Sequence, residues 1–208
     1  MKTRKPEFFH KREDIPGGTV LIDIFTKALK ELFFIENPEL KDHSAEANPA
    51  LARKGGARKP LNKFLREAPS GVWIYYPWRN TAVHSLPENL YFKLRTARNR
   101  NLINNAEQDN YRKMVVGMAG LSVGSSILNS LVISGGPKML KIADPDIVDA
   151  SNLNRLKASL CDVGRKKAEV AARAVWDIDP FAEIDIWEKK LDDRNFRRFA
   201  VGSKKLEV

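Results

Sequence analysis

The stretch KMVVGMAGLSVGSSI, residues 113–127, contains the pattern that decides the fold of this chain. A short apolar run leads into small residues that include three glycines: Gly117, Gly120 and Gly124. A dinucleotide-binding fingerprint would place its second and third glycines where this chain has Ala119 and Ser122. The stretch predicts a strand, a tight turn and a helix. It leaves open whether the turn is an altered dinucleotide loop, another phosphate-binding loop or a turn without a ligand.

The alternation of strand and helix continues along the chain. Apolar runs and helical periodicity predict strand, helix, strand, helix and strand in KMVVG (113–117), SSILNSLVISGG (125–136), KMLKIAD (138–144), VGRKKAEVAARAVWDIDP (163–180) and AEIDIWEKKL (182–191). A further short helix is expected within 192–208. Such repeats place the strands parallel with right-handed crossovers. We therefore predict an α/β fold for residues 98–208, with a Rossmann-like parallel sheet that forms part of a nucleotide-binding domain.

The first 97 residues differ in character and predict a smaller, mixed α+β N-terminal extension. The stretch GTVLIDIFTKALKELFFIEN (18–37) has apolar side chains at helical spacing, and SLPENLYFKLRTARNRN (85–101) also predicts a helix. GVWIYYPW (71–78) predicts a short strand. Residues 38–60 lose periodicity and collect proline, glycine and charge, so we expect a mobile basic connector there.

Composition excludes several classes of protein. With 43% hydrophobic and 30% charged residues among 208, the chain is typical of folded globular proteins. The chain contains no run of about 18 apolar residues, the length needed to span a membrane. Its basic start lacks the apolar core of a signal peptide. The single cysteine, Cys161, excludes an internal disulfide, favours a cytoplasmic location, and is expected to be a buried structural thiol. The three histidines lie far apart and predict no metal site.

The net charge of +10 is concentrated in the first part of the chain. Residues 1–113 contain 21 Lys and Arg against 13 Asp and Glu, whereas residues 114–208 contain 15 against 13. Such asymmetry is compatible with a surface for nucleic acid or another polyanion. A solvated basic face is the commoner meaning, so charge alone does not identify a partner.

A polar loop follows the second predicted strand, on the edge of a parallel sheet where ligands bind. It contains Asp144, Asp146, Asn152 and Arg155. Asp144 lies 20 residues beyond Gly124, close to the spacing at which an acidic residue reaches a ribose hydroxyl. The alternative is an aspartate that only caps a turn. Since arginine can donate two hydrogen bonds at once to phosphate oxygens, the loop favours an anionic ligand.

Three cations begin the next predicted helix: Arg165, Lys166 and Lys167. Positive charge at a helix N-terminus opposes the macrodipole, at a cost of up to about 1 kcal/mol for each side chain. These side chains either are solvated, with Glu169 offsetting part of the cost, or bind an anion. We favour an anion because violations of local rules concentrate at functional sites.

These elements occur in one order: a glycine-rich turn, Asp-x-Asp at 144–146, Ser-Asn-Leu-x-Arg at 151–155 and Gly-x-x-Lys-Ala at 164–168. In this combination, residues 98–208 resemble the ThiF/MoeB/HesA adenylyltransferases, relatives of the ubiquitin-activating enzymes. The resemblance implies an enzyme that uses ATP and Mg²⁺ to adenylate the C-terminal carboxylate of a ubiquitin-like or sulfur-carrier protein, releases pyrophosphate, and acts as a homodimer. The N-terminal part resembles the extension of a bacterial subgroup of large ThiF-domain proteins.

The resemblance also implies roles for individual residues. The nucleotide-binding set would comprise the turn, the acidic pair, the polar loop and one lysine: Gly117, Gly120, Ser122, Gly124, Asp144, Asp146, Asn152, Arg155 and Lys167. Within it, Asp144 would bind the ribose, Asn152 and Arg155 would hold the phosphates, and Lys167 would reach the same phosphates. An arginine just before the first strand also acts on the phosphates in this family, often from the neighbouring subunit. Arg100 is the best match, and Arg98 is the second choice.

The chain departs from the family in two respects. Its turn has fewer glycines than usual. The family's magnesium-binding aspartate, its zinc-binding cysteine pairs and any catalytic cysteine would fall beyond residue 208. We therefore expect the nucleotide-binding half of an activating domain, with no metal ligands of its own.

Alternative functions stay open at this point. The acceptor could be the modified base of a tRNA, as in a related dehydratase branch. The chain could instead be a non-catalytic nucleotide-binding or interaction module, or an NAD-dependent oxidoreductase. The Ser-Asn-Leu-Asn-Arg loop argues against the oxidoreductase, because hydride transfer needs no such phosphate-binding loop after the second strand.

Overall fold

A computed structural model of the chain describes residues 4–41, 58–202 and 205–207. The chain divides into two compact units, one over Pro6–Ala97 and one beginning at Arg98, which are called the N-terminal unit and the C-terminal unit below. The assignment of residues 1–97 and 98–208 to separate domains stays a prediction. None of the helices within the described residues is long and apolar enough to cross a lipid bilayer.

The N-terminal unit is built on a four-stranded mixed sheet. Its strands are β1 (Glu7–Phe9), β2 (Val20–Asp23), β3 (Val72–Tyr76) and β4 (Thr81–Ser85), arranged in the order β1-β3-β4-β2. β3 is antiparallel to both of its neighbours, and β2 is parallel to β4. The helices are α1 (Phe25–Glu36), α2 (Arg58–Glu67) and α3 (Glu88–Thr96). They contribute to an apolar cluster centred on Ala28, Leu29 and Leu86.

One row of side chains crosses this sheet and ends at the start of α1. Register places Phe9 beside Trp73, Trp73 beside His84, and His84 beside Asp23. The His84 ring is stacked between Trp73 and Phe25, with 4.8 Å between ring centroids on each side. Its Nδ1 lies 3.1 Å from Oδ2 of Asp23, and Oδ1 of Asp23 accepts a hydrogen bond from the backbone N–H of Phe25 at 3.0 Å.

The predictions for the N-terminal unit were right for β3 and α3 and partly wrong for α1. Helical spacing predicted one helix over 18–37, but Val20–Asp23 form β2 and the helix begins at Phe25. The reason is pairing with β4, which the spacing of apolar residues does not reveal. Of the predicted connector over 38–60, Pro38–Leu40 form a 3-10 helix and Arg58 begins α2, while 42–57 lie outside the described residues.

The C-terminal unit contains the predicted parallel sheet. Strands β5 (Val115–Ala119), β6 (Met139–Ala143) and β7 (Glu183–Trp187) pair in this order, and all are parallel. Helices α4 (Asn105–Lys113), α5 (Gly124–Ile133), α6 (Lys167–Ile178) and α7 (Phe196–Val201) precede, connect or follow the strands. This architecture confirms the predicted α/β fold. α4 was not predicted.

Both faces of the parallel sheet are covered. On one face, the start of α5 at Gly124 approaches the side chain of Met118. On the other face, Lys141 is fully buried in β6, and its Nζ donates a hydrogen bond to the carbonyl of Phe199 in α7 at 2.9 Å. The Phe199 ring meets Trp187 edge-on, with 5.6 Å between centroids. Helices on both sides of a parallel sheet are the doubly wound arrangement.

Residues 205–207 lie along the free edge of β5. The backbone N–H of Glu207 donates to the Val115 carbonyl at 3.0 Å, and the Val115 N–H donates to Oε2 of Glu207 at 3.1 Å. The side chain of Leu206 covers Gly117, where a Cβ would come within 2.6 Å of it. This short segment therefore pairs with β5 and packs against it.

Candidate nucleotide-binding site

The turn after β5 has open space beside its backbone. Gly120 follows the strand with φ of +81°, a left-handed conformation that glycine adopts without strain. Its N–H donates to the Ala143 carbonyl at 2.9 Å, which fixes the turn to the end of β6. Apart from Gly120 and its two chain neighbours, no heavy atom of the described residues lies within 4 Å of the place that a Cβ would take at Gly120. A ligand can therefore approach the backbone here.

The residues between the turn and α5 supply backbone donors to this space. The N–H groups of Ser122, Val123 and Gly124 have no acceptor among residues 4–41, 58–202 and 205–207. The first N–H groups of a helix lack partners inside the helix, and the macrodipole adds partial positive charge there. The arrangement suits an anion such as phosphate.

Asp144 lies just beyond β6 and joins the two loops that border this space. Its side chain is buried, with 4% of its surface exposed. Oδ2 accepts a hydrogen bond from the N–H of Leu121 at 2.6 Å, and Oδ1 accepts one from the N–H of Asp146 at 2.9 Å. Asp144 therefore does cap a turn. Because a carboxylate offers about four acceptor positions, it can also accept hydrogen bonds from ligand hydroxyls.

Lys167, the first residue of α6, reaches the same turn. Its side chain is 7% exposed, and its Nζ donates to Oδ2 of Asp146 at 3.0 Å and to Oγ of Ser122 at 3.3 Å. The backbone N–H of Lys167 donates to the Asp146 carbonyl at 2.9 Å. The structure thus brings together the turn, the acidic pair and the lysine, which lie up to 45 residues apart in sequence.

The other two cations at the start of α6 point elsewhere. Lys166 donates from Nζ to the Pro145 carbonyl at 2.7 Å. Arg165 donates from Nε to the Cys161 carbonyl at 3.4 Å and forms an ion pair with Glu169 at 3.8 Å, which offsets part of its charge. Of the three, Lys167 alone contacts the turn within the described residues, so the three side chains do not converge on one point.

The polar loop after β6 is held largely by its own residues. Asn152 is 8% exposed, and its Oδ1 accepts a hydrogen bond from the N–H of Asp149 at 3.2 Å. Arg155 is exposed, and its guanidinium donates to the Ser151 carbonyl at 3.3 Å and to Oδ1 of Asn154 at 2.8 Å. Neither side chain contacts the turn or Lys167 within the described ranges.

Arg100 lies beside the other end of α5. It belongs to a 3-10 helix, Asn99–Asn101, whose Asn99 side chain donates to the Ser134 carbonyl at 2.8 Å and to Oε1 of Gln108 at 2.7 Å. Ser134 directly follows α5, whereas the turn precedes it. A helix of ten residues is about 15 Å long, farther than an arginine side chain extends. Arg100 and Arg98 are both exposed. The anchoring role of Asn99 was missed, because one amide inside an arginine cluster gives no distinct signal.

The position of Gly117 and the exposure of Cys161 differ from the predictions. Gly117 lies inside β5 under Leu206 and Phe199, so its missing side chain serves packing, and it does not belong to the turn. Cys161 is exposed in a 3-10 helix, Leu160–Asp162, and the prediction of a buried thiol was wrong. Its position on a crossover loop outside the sheet explains the difference.

Within the described residues, no group of three or more His, Cys, Asp or Glu side chains could hold a metal ion.

A comparison with protein families matches residues 96–203, slightly more than half of the chain, to the family described as ThiF family. The chain belongs to the ThiF family. The resemblance deduced from the turn, Asp-x-Asp, Ser-Asn-Leu-x-Arg and Gly-x-x-Lys-Ala elements is thereby confirmed.

Several relatives share this family region. An uncharacterised protein of Mycobacterium tuberculosis is 36% identical over 144 residues, which are 69% of this chain and 20% of that protein. The tRNA threonylcarbamoyladenosine dehydratase 2 of Saccharomyces cerevisiae is 41% identical over 91 residues, 43% of this chain and 20% of that one. A probable molybdopterin-synthase adenylyltransferase of Porphyra purpurea is 36% identical over 83 residues, which are 39% of this chain and 21% of that protein. The ThiF-family chain thus spans about a fifth of the length of these relatives.

Solved structures show the same fold. The crystal structure of Escherichia coli tRNA N6-threonylcarbamoyladenosine dehydratase in complex with ATP has a TM-score of 0.50 with 24% identity, and covers 53% of this chain and 46% of that one. The likeness confirms the Rossmann-like architecture of the family. Together with the family match, the relatives characterise the chain as adenylyltransferase-like, and they do not determine a substrate.

Proposed function

We propose that this ThiF-family chain binds ATP at the turn between β5 and α5 and takes part in adenylation of a carboxylate. The acceptor in this proposal is the C-terminal glycine of a ubiquitin-like or sulfur-carrier protein. The carboxylate oxygen attacks the α-phosphorus of ATP, the bond to the bridging oxygen of the β-phosphate breaks, and pyrophosphate leaves. An acyl adenylate is formed.

The observation that carries the proposal is the convergence of donors on one space. The Lys167 ammonium contacts Ser122, two residues after Gly120, and the N–H groups of Ser122, Val123 and Gly124 have no acceptor within the described residues. Neutral and cationic donors of this kind bind phosphate oxygens. A solved relative in the same fold was crystallised with ATP, which supports the choice of nucleotide.

The proposed chemistry needs alignment and charge stabilisation more than proton transfer. A carboxylate is already ionised near neutral pH, so it attacks without a strong general base. Lys167, and Arg155 after it turns from its own loop, would stabilise the charge on the phosphates, while Asp144 accepts hydrogen bonds from the ribose hydroxyls. Asn152 would hold the loop that carries Arg155. Mg²⁺ would supply further positive charge to the phosphates, and the roles of these residues do not depend on it.

The surface of α5 supports a two-fold dimer that completes the site. Val123, which directly precedes α5, and Ile127, four residues further on, are 72% and 51% exposed, and α5 has no charged side chain. If two copies pack these faces antiparallel, the C-terminal end of each α5 meets the N-terminal end of the other. Arg100, which Asn99 anchors at the C-terminal end, would then lie beside the partner copy's turn. Its distance from the turn of its own chain is explained by this arrangement.

A second candidate acceptor is a modified tRNA nucleoside. The 41% identity to a tRNA threonylcarbamoyladenosine dehydratase is the observation that favours it. The adenylation step on a carboxylate and the roles of Lys167 and Asp144 are the same for both acceptors.

The test is calorimetric titration of ATP with Mg²⁺, and separately of NAD, into the full-length protein. Lys167→Ala and Arg155→Ala should each weaken ATP binding by about 1 kcal/mol or more, because each removes charge-assisted hydrogen bonds. Lys166→Ala is the matched control, since the side chain of this neighbouring lysine bonds the Pro145 carbonyl and should leave ATP affinity unchanged.

ATP–pyrophosphate exchange then separates catalysis from binding. Exchange that depends on a carrier protein supports the first acceptor, exchange that depends on tRNA supports the second, and ATP binding without exchange indicates a non-catalytic module. Unchanged ATP affinity in both variants, or tighter binding of NAD, contradicts the proposal.

A further inference from the structure

A closed ring of contacts surrounds the candidate phosphate site. The Leu121 N–H bonds Asp144, which in turn accepts from the N–H of Asp146. Asp146 accepts from the Lys167 ammonium at 3.0 Å, and the same ammonium donates to Oγ of Ser122 at 3.3 Å. Ser122 is covalently next to Leu121, so the ring ends where it begins. The ring fixes two loops and the first turn of α6 relative to one another.

Ser122 stands where the usual fingerprint has glycine, and its hydroxyl closes this ring. A glycine there has no side-chain acceptor, so the lysine would be held from one side only, by Asp146. The carboxylate of Asp146 is 63% exposed, and solvent screens an ion pair of that kind. The Ser122 hydroxyl adds a second, uncharged acceptor that does not compete for the charge of the lysine.

The number of N–H donors on Lys167 shows what its hydrogen bond to Ser122 achieves. An ammonium group has three N–H donors. Within the described part of the chain, Asp146 and Ser122 accept two of them. The two acceptors fix the direction of the third donor. The side chain is 7% exposed, so little water competes for that donor.

We infer that Ser122 is a positioning residue for Lys167. The Ser122 hydroxyl holds the Lys167 ammonium at the turn, with one N–H donor of the ammonium directed to a bound phosphate oxygen. The inference rests on the proposed function for the identity of the anion. It assigns a role to the position at which this chain departs from the glycine fingerprint.

The first experiment is a double-mutant cycle with calorimetric ATP binding to the full-length protein. Ser122→Ala should raise the Kd for ATP about two- to tenfold, the range expected for one lost hydrogen bond. Ser122→Thr keeps the hydroxyl and should restore most of the affinity. In a Lys167→Ala background, Ser122→Ala should have no further effect, because the residue through which it acts is gone.

Ser125→Ala is the matched control. Its hydroxyl donates to the Ser122 carbonyl at 3.2 Å, so the substitution removes a hydrogen bond at the same turn without touching Lys167. ATP affinity should stay within about twofold of the unmodified protein, a change too small for a lost charge-assisted bond. Equal effects of Ser122→Ala with and without Lys167 would overturn the inference, as would failure of Ser122→Thr to restore binding.

A second measurement does not depend on nucleotide. Limited acetylation of lysines, followed by peptide mass spectrometry, reports how firmly Lys167 is held, with Lys166 as the internal reference. Ser122→Ala should increase the rate at Lys167 about two- to tenfold relative to Lys166, as one hydrogen bond is lost. An unchanged ratio contradicts the inference even if ATP binds. Absence of ATP binding with an increased ratio contradicts the proposed function alone.

Discussion

Arg112 and Asp179 form an ion pair that joins the end of α4 to the loop between α6 and β7. Both side chains are largely buried, with 11% and 2% exposed. Asp179 also accepts a hydrogen bond from the N–H of Phe181 at 3.2 Å, so the carboxylate fixes the entry into β7 as well. The pair ties together segments that are 67 residues apart in sequence.

Arg112→Ala should therefore lower the free energy of unfolding by about 3–5 kcal/mol, because removing one partner of a buried pair leaves the other charge poorly compensated. Urea denaturation followed by tryptophan fluorescence measures the change. Lys63→Ala provides the control: its pair with Glu67 spans 3.9 Å, both side chains are more than 60% exposed, and the expected change is at most about 1 kcal/mol. Similar changes in the free energy of unfolding for the two substitutions would show that burial of Arg112 does not strengthen its contribution to stability.

Gly71 should not tolerate a side chain. A Cβ there would come within 2.4 Å of Nε2 of His84, 2.7 Å of the Phe25 ring and 2.8 Å of the Ser85 carbonyl. Gly71→Ala should cost about 1–3 kcal/mol of stability, as overpacking does, and should be visible as a lower Tm. Gly17→Ala tests the same chemical change where, apart from Gly17 and its chain neighbours, no described atom lies within 4 Å of the added Cβ, and should be neutral or stabilise by up to about 1 kcal/mol. A stable Gly71→Ala protein would disprove the close contact.

The pair of Asp23 and His84 predicts a dependence of stability on pH. Burial raises the pKa of the Asp23 carboxyl, but the hydrogen bonds from His84 and from the Phe25 N–H, with the charge of His84, outweigh burial and hold this pKa below its ordinary value of 3.8. A lowered folded-state pKa stabilises the fold above the unfolded-state pKa, and this contribution is lost as pH falls through the folded-state pKa.

Asp23→Asn should therefore destabilise the protein at pH 7 by about 0.2–1 kcal/mol, since the carboxylate is mostly exposed. The difference from the unmodified protein should shrink as the pH falls below 3.8. Denaturation curves between neutral and acid pH measure this difference, with Asp14→Asn as a control for loss of a carboxylate in the same unit. A difference that grows towards acid pH would reverse the assigned sign.

The proposed α5 interface predicts the behaviour of two simple variants. Ile127→Glu should convert a dimer to a monomer in sedimentation experiments, because it places a charge in an apolar contact. Leu160→Glu adds the same charge at a residue that is 76% exposed elsewhere in the C-terminal unit, and should leave the assembly unchanged. Dimers that persist in Ile127→Glu would exclude this face.

Mixing experiments test whether Arg100 acts across that interface. Arg100→Ala and Lys167→Ala should each abolish pyrophosphate exchange when present in both copies. An equal mixture should recover about a quarter of the activity, because half of the dimers are mixed and each mixed dimer has one intact site. No recovery in the mixture, despite exchange of subunits, would place Arg100 in the site of its own chain.

Local sequence patterns were sufficient for the parallel sheet and insufficient for contacts between loops. β5 and β6 are short apolar runs because strands covered on both faces need apolar residues on both, and such runs are visible in a sequence. β2 was missed because Val20–Asp23 also fit the helical spacing of the residues that follow, and pairing with β4 decides the outcome. The contacts of Lys167 with Ser122 and of Asn99 with Ser134 join distant positions, and no local pattern encodes them.

The segment 205–207 has a consequence for association between molecules. An unpaired strand edge is a template on which another chain can add a strand. Glu207 forms hydrogen bonds with both backbone groups of Val115: its N–H donates to the Val115 carbonyl, and its carboxylate accepts from the Val115 N–H. Leu206 fills the space over Gly117. Three residues thus protect the start of β5 from intermolecular strand pairing, and their loss would expose the edge of the parallel sheet as a site of aggregation.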